Sequence, residues 1–569
     1  MYKPVVFLVG LIACCFRLSA QSFPEKVYPR DAFRYPLDIP MKLNANFGEM
    51  RPNHFHMGLD LFTERRENLP VYAPADGWVS RIKVEPGGFG NAIYVSHPNG
   101  FTTLYAHMNS FMPEVARYVK QQQYAQESWR VELYIPEGKF PVKKGSFIGY
   151  SGNTGASAGP HVHYEIRRSE NDACVNPLLL YKVYDVTPPD ISRLAVYDRN
   201  QSTYEQQPRM VSLVHGAGAH TISGGTLVVS SNRISFAIVA TDRVTGVPNN
   251  NGIYEAVVSM DDVPLSGFQI DDVDYLQTRY LNAHIDYRIK TAGGAYYQHL
   301  TPLPGDRLPI YQTWKNDGVI VLKDTAVHRI HIVVKDANGN ARNLRFNVKW
   351  NGQQSNSVVN ERDGRYFFPN SVNVFERDDV QVITSEQSIY DAIRFQYTRK
   401  PSTTSYSDIH VLHQALVPLH DYILFRIKPI RKISDGVANR VIMVKEARGK
   451  TEVVKATEVN GMYEARFREF GEFRLEADLV APTIAVAGVV NGGVLAAGGK
   501  IVCTVTDQWK KIKSFRATLN GNWIMFSNSG STWRYTVDEY CGTGANELVI
   551  TAEDEAGNIA TKSIQFTRK

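Results

Sequence analysis

Cysteine is scarce in this 569-residue chain: there are five, and two of them, Cys14 and Cys15, sit in the apolar N-terminal run. The other three, Cys174, Cys503 and Cys541, contain no Cys-x-x-Cys pair. That excludes a thiolate zinc knuckle, and an odd, sparse set is no disulfide framework. Cys503 with Cys541 could bridge in an oxidising compartment, but their spacing does not establish it. Long helical periodicity is missing too. So are runs of one charge sign: 63 Lys and Arg against 57 Asp and Glu leave a net charge of +6. Without a basic run or an RNA-type aromatic motif, nucleic acid is excluded as a partner. Beyond the N-terminus no stretch is apolar and long enough to cross a bilayer.

What the chain does have is turn chemistry. It contains 42 Gly and 28 Pro, placed between short runs rich in aromatic and β-branched residues, as in "PADGW", "EPGGFGN", "HPNG" and "SGNTG". This texture predicts a mainly β, multidomain protein, an antiparallel β-sheet domain followed by β-sandwich modules, and the length suits roughly four domains. The opening "MYKPVVFLVGLIACCFRLSAQ" carries one charge at Lys3, then an apolar run from Pro4 to Phe16. That run reads as an export signal, too short to span a membrane comfortably. Cleavage after Ala20 would start the mature chain at Gln21. The alternative is a lipoprotein signal, with Leu11 to Ala13 preceding Cys14.

Two later stretches repeat. "FAIVATD" (236–242) matches "IVCTVTD" (501–507), and "VVKDANGNARNLRFNV" (333–348) matches "ITAEDEAGNIATKSIQF" (550–566). Such units resemble immunoglobulin-like β-sandwich modules. The expected order is therefore a signal peptide at 1–20, a first domain at 21–186, an immunoglobulin-like sandwich with an insertion at 187–350, a β-rich domain of unnamed fold at 351–480, and a second sandwich at 481–569. One helix is expected, around "FMPEVARYVKQQQYAQESW" with Pro113 near its start.

Six of the 15 histidines lie before residue 170. In "GPHVHYEI", strand alternation sets Val162, Tyr164 and Ile166 on one face and His161, His163 and Glu165 on the other, with the two imidazoles about 7 Å apart. "HFHMGLD" adds His56 and Asp60, which share a face if the segment is a strand. With His163 they make two imidazoles and one carboxylate, a set suited to four-coordinate zinc with its last position open to water. His54 shares the strand parity of His56 as a candidate polar wall. Tyr105 has the parity of His107 and is expected to line the same cleft, and His97 reads as a turn residue. The pairs His328/His331 and His410/His413 change face in their strand contexts and are set aside.

The ordered combination "FGEMRPNHFHMGLD", "VYAPADGWV", "GGFGNAIYVSHPNGFTTLYAHM", "PVKKGSFIGYSGNTG" and "GASAGPHVHYEI" resembles the lysostaphin/LytM-type zinc metallopeptidases, which cut peptidoglycan peptides. The resemblance covers residues 40 to 180. It implies that His56, Asp60 and His163 bind one Zn2+ per chain, and that His107 and His161 are the catalytic histidines. It also implies hydrolysis of cross-links or stem peptides by metal-activated water, in a periplasmic, cell-envelope or extracellular location. The downstream modules would engage envelope partners. Relatives that act as non-catalytic scaffolds lack one or more of the five residues, and all five are present here. The roughly thirty residues between "YAHM" and "PVKKG" exceed the family's short loop and are expected beside the groove, shaping access.

Overall fold

The computed structural model describes residues 23–24, 26–353 and 365–569. The expected signal, 1–20, lies outside the described residues. The first domain is built on a ten-stranded sheet. Its path runs through β1 (Leu43–Ala45), β2 (Leu59–Phe62), β3 (Gly77–Val84), β4 (Asn91–Ser96), β5 (Phe101–Ala106), β6 (Val131–Tyr134) and β7 (His161–Arg168), in the spatial order β1-β2-β7-β5-β4-β3-β6. All of these pairings are antiparallel. Alternation drives the sheet: Val162, Tyr164 and Ile166 of β7 are fully buried in a core with Leu59, Leu61, Ile93 and Tyr105. In β3 the buried residues shift from Val79 to Ile82 and Val84 because a register irregularity separates Val79 from Arg81. An extra residue on one strand reverses which face the following side chains take.

The expected helix is α1 (Pro113–Ala125). Pro113 starts it, where a missing N–H costs nothing, and Glu114 stands in its first turn. Val115, Val119 and Gln123 form its buried stripe. The opposite side meets the end of the chain: Lys120 pairs with Asp538 at 3.0 Å and Glu539 at 2.7 Å, and Tyr124 stacks on Tyr540 with ring centroids 3.6 Å apart.

The two repeated segments fold alike. In the first, β9 (Asp190–Asp198) pairs with β10 (Arg233–Thr241) in one sheet. In the facing sheet, β12 (Val327–Lys335) pairs with β13 (Ala341–Trp350), which also takes Thr226–Val229 as a parallel neighbour. In the second, Thr483–Ala487 pairs with β14 (Lys500–Thr506), and β15 (Gly544–Asp554) pairs with β16 (Ile559–Arg568). Gly493–Leu495 lies parallel to β16. Residues of both sheets, such as Ile501 and Val505 with Leu548 and Ile550, share one apolar core. Cys503 and Cys541 are buried there as free thiols, so the bridge that the sequence left open does not form. Between the repeats lie two five-stranded sheets around Phe425, Phe467 and Phe473.

The first domain does not end cleanly. β8 (Cys174–Val175) pairs with β7 and also with β11 (Asp272–Val273), which carries the sheet across the junction. Phe47, Phe55 and Met57 belong to the same core as Ile253, Ile270 and Leu281 of the following module.

Candidate metal centre

Strand register places the first two groups of the site. β7 lies between β2 and β5, with His163 opposite Asp60 on one side and Ala106 on the other. Side chains at opposed positions of neighbouring strands point to the same face. His56 arrives differently. It follows the two-residue strand His54–Phe55 in an irregular stretch, so its approach to Asp60 comes from a turn and not from the shared strand parity expected from sequence. Gly58 makes that turn possible, because a Cβ there would stand 2.4 Å from the Tyr164 carbonyl oxygen.

The three candidate ligand atoms converge. His56 Nε2 is 2.9 Å from Asp60 Oδ1 and 3.0 Å from His163 Nδ1, and His163 Nδ1 is 3.0 Å from Asp60 Oδ1. A tetrahedral ion with bonds of about 2.0–2.1 Å spaces its ligands about 3.3 Å apart. The triangle is within a few tenths of an ångström of that face, so these residues fit a zinc-type ion.

Each imidazole is oriented from behind. His56 Nδ1–H donates to the Asn46 carbonyl at 2.7 Å, which leaves Nε2 as the ligand atom. His163 does the reverse: Nε2–H donates to Glu165 at 2.9 Å, leaving Nδ1 for the ion. Glu165 is fully buried and accepts in turn from Arg167 Nε at 2.7 Å and from the Tyr275 hydroxyl. Burial opposes charge on Glu165, but Arg167 and His163 hold it far below the usual carboxylate range. Burial would lower His163, yet Asp60 and Glu165 outweigh it and push it up to about 9. Burial likewise works against the Asp60 charge, and the surrounding histidines, His56 foremost, hold it well below its ordinary value. A pocket that prefers a proton between imidazole and carboxylate prefers a cation in the same place.

The other two histidines stand beside this trio. His107 donates Nδ1–H to the Thr154 carbonyl at 2.8 Å, and His161 donates Nδ1–H to the Gly159 carbonyl at 2.8 Å. Their rings are 4.7 Å apart, and His161 Nε2 lies 3.4 Å from Asp60 Oδ1. Both therefore present an Nε2 lone pair. Burial, then the facing His161 and His163, pulls His107 down to about 4, so it is neutral at ordinary pH. His107 sits just past β5 at φ 60°, a left-handed conformation that costs a β-carbon residue about 1–2 kcal/mol.

That departure from strand geometry breaks the parity argument for Tyr105. It points into the core, fully buried with its hydroxyl on Thr103, and does not line the cleft. His97 is also no open turn residue: it is 3 % exposed, bonded to the Asp76 carbonyl and to Thr103. His54 is exposed and bonds its own turn at Pro52. His328 pairs with Asp261 and His410 with Tyr397, away from the site.

A cavity of about 570 Å³ opens beside Asp60 and His161. Residues 42–45, Arg51, Phe62 and Arg65 form part of its wall; the 158–160 turn and residues 246–249 of the next module complete it. The long insertion after His107 does not line this cavity, and its helix docks on the C-terminal module. Sequence reasoning passed over Glu165, although its place on the ionisable face of β7 was visible. Asn46, Tyr275 and the 246–249 loop gave no local signal, since they reach the site only through tertiary packing.

Residues 54–126 and 132–177 match the profile of Peptidase family M23, and residues 364–478 that of the Zu5-like domain. An uncharacterized metalloprotease of Haemophilus influenzae is 33% identical over 154 residues, which is 26% of each chain. The DD-carboxypeptidase/endopeptidase Mpg of Neisseria meningitidis is 37% identical over 123 residues, 22% of each chain. The catalytic domain of the M23 protein EnpA from Enterococcus faecalis is similar at 23% identity, covering 26% of this chain and 95% of that one with a TM-score of 0.20. The chain thus spans about a quarter of the length of the curated relatives it matches. Within the first domain, residues 54–126 and 132–177 are thus similar to Peptidase family M23.

Proposed function

We propose that this protein is an exported zinc endopeptidase that hydrolyses peptide bonds in peptidoglycan cross-links or stem peptides. One observation carries the reading: within a stretch similar to Peptidase family M23, three candidate ligand atoms meet at 3.0 Å or less, while His107 and His161 stand beside them with ring centroids 4.7 Å apart and Nδ1 tied to carbonyls, His161 on the wall of the cavity. Zinc, when held by His56, Asp60 and His163, supplies a Lewis acid and a water with pKa lowered to about 7. The chain's own residues do the rest. Asn46 and Glu165 fix the ligand tautomers. A histidine whose Nδ1–H is tied to a carbonyl has its lone pair on Nε2, so His107 or His161 accepts the proton of the attacking water. As an imidazolium, that histidine then donates to the leaving amine. Lys42, Arg51 and Arg65 around the cavity suit an acidic peptide. Mpg is named as a DD-carboxypeptidase/endopeptidase and a Vibrio cholerae relative, ShyA, as a peptidoglycan DD-endopeptidase, which supports the substrate class. Export rests on the N-terminal apolar run. Among the described residues no helix is long and apolar enough to cross a membrane.

The test is zinc content and release of new amino groups from purified peptidoglycan, for the mature chain and His163→Ala. One zinc per chain with cleavage, both lost in the variant, is expected. Zinc without cleavage would remove peptidoglycan as substrate, and neither zinc nor cleavage would leave a scaffold.

A further inference from the structure

Each repeated module carries three aspartates at the end where the preceding domain joins it. In the first, Asp185 lies on the incoming segment, Asp242 directly follows β10, and Asp336 directly follows β12. One carboxylate oxygen from each lies within 4.8 Å of the others. In the second, Asp478 lies on the incoming segment, Asp507 directly follows β14 and Asp554 closes β15, again within 4.8 Å. The repeat is thus one of chemistry as well as of topology.

Acidic residues gather on many surfaces without a ligand, but in the first cluster two features point to one, and the second cluster shares the unpartnered carboxylate oxygen. Asp242 is 5 % exposed, and its Oδ1 has no hydrogen-bond partner among the described residues; nor has Asp507 Oδ1. A buried carboxylate oxygen facing two other carboxylates and no donor is unfavourable unless something positive sits there. The second feature is space. A cavity of about 10 Å³, room for one water-sized sphere, is bounded by Asp185, Asp242, Asp336 and Asn338.

The remaining oxygens are already committed to holding the loops. Asp336 Oδ1 accepts from the backbone of Asn338 and Asn340 at 2.8 and 2.9 Å, and Asn340 donates its side-chain amide to Asp336 and to the Asp185 carbonyl. Asp554 and Asn558 repeat this pattern, with Asn558 donating to the Asp478 carbonyl. The loops are therefore shaped independently of any ligand, and the free oxygens are what is left over.

We propose that both clusters are Ca2+ sites, one formed by Asp185, Asp242 and Asp336 and the other by Asp478, Asp507 and Asp554. The donors are all oxygen, from carboxylates on three separate segments, which suits a hard ion of variable coordination and not zinc. Magnesium demands near-octahedral geometry and keeps most of its water. The first site also reaches the cleft: Asp242 and Asn251 exchange backbone hydrogen bonds at 3.0 and 2.8 Å and so close the loop whose residues 246–249 wall the cavity beside Asp60. A bound ion would brace that wall, a consequence that rests on the peptidase reading.

The experiment is calorimetric titration of CaCl2 into the full, zinc-loaded mature chain after passage over a calcium-binding resin, without substrate. Two equivalents of Ca2+ are expected for the wild type, one each for Asp242→Asn and Asp507→Asn, and none for the double variant. Calcium should raise the melting temperature of the wild type and not of the double variant. Without calcium the variants should melt no lower than the wild type, because each loses a like charge from its cluster. If Asp242→Asn does not fold, Asp185→Asn, on the half-buried linker, must show the same loss. No uptake at millimolar calcium, uptake unchanged in the double variant, or equal uptake of magnesium would each overturn the proposal. Because no substrate is present, such a failure leaves the peptidase reading intact. A chain that takes up calcium but cuts no peptidoglycan overturns only that reading.

Discussion

At the scale of single residues the two kinds of histidine should separate cleanly. His107 holds φ 60°, a conformation that Asn tolerates better than Ala, so His107→Asn tests its chemistry without much strain. Activity is expected to fall about 10²–10⁴-fold with zinc content unchanged by elemental analysis; loss of zinc would make His107 a ligand. The ligand side has its own signature. Burial lowers His163 but Asp60 and Glu165 push it up to about 9, so below that pH zinc must displace a proton. Zinc uptake at pH 7.5 should release close to one proton, read as a dependence of calorimetric heat on buffer ionisation. Affinity should drop about tenfold for each pH unit below 9, the limit of one competing proton.

At the scale of elements, the junction between the first domain and the next module is part of the site. Phe55 precedes His56, is fully buried and packs with its ring centroid 5.6 Å from that of His284, while its backbone N–H donates to Thr278 Oγ1 at 2.8 Å. Asn46, whose carbonyl orients His56, is clamped to Gly252 by two hydrogen bonds of 2.8 Å. Phe55→Ala should therefore cost about 3–5 kcal/mol in urea denaturation and weaken zinc binding as well, measured by competition with a chromogenic chelator. A stability loss with zinc affinity unaltered would show that the junction does not position His56.

For the whole molecule, acid is the expected weakness. His284, His413 and His420 are buried with pKa values lowered to about 4, and His299 to about 3, burial being the leading cause in each. Unfolded histidine titrates near 6.5. A group whose folded pKa lies below its unfolded value adds stability above the unfolded value, and that stability is lost as pH falls toward the folded one. The contribution of each such ring to the unfolding free energy should thus be level above pH 6.5 and decline from there to pH 4, by about 3 kcal/mol. Denaturation curves of the wild type and of His413→Gln across that range check it: the wild type should lose more stability toward pH 4 than the variant, and parallel profiles would mean that this ring is solvated.

The sequence by itself determined the periodic and the contiguous. Alternation in "HVHYEI" placed His161, His163 and Glu165 on one face, because a strand repeats every two residues wherever it is paired. The five candidate residues stood out because their motifs lie in order along one stretch, and the repeated Asp-x-x-Gly-Asn turns stood out for the same reason. Tertiary structure decided what local pattern does not encode. His56 reaches Asp60 and His163 through a turn, Tyr105 turns into the core just before the left-handed His107, and the helix after His107 docks on the C-terminal module. Tyr275, Asn46 and residues 246–249 support or wall the site from across a domain junction. Local pattern says which face a side chain takes, but only the closing of distant segments on one another says what that face meets.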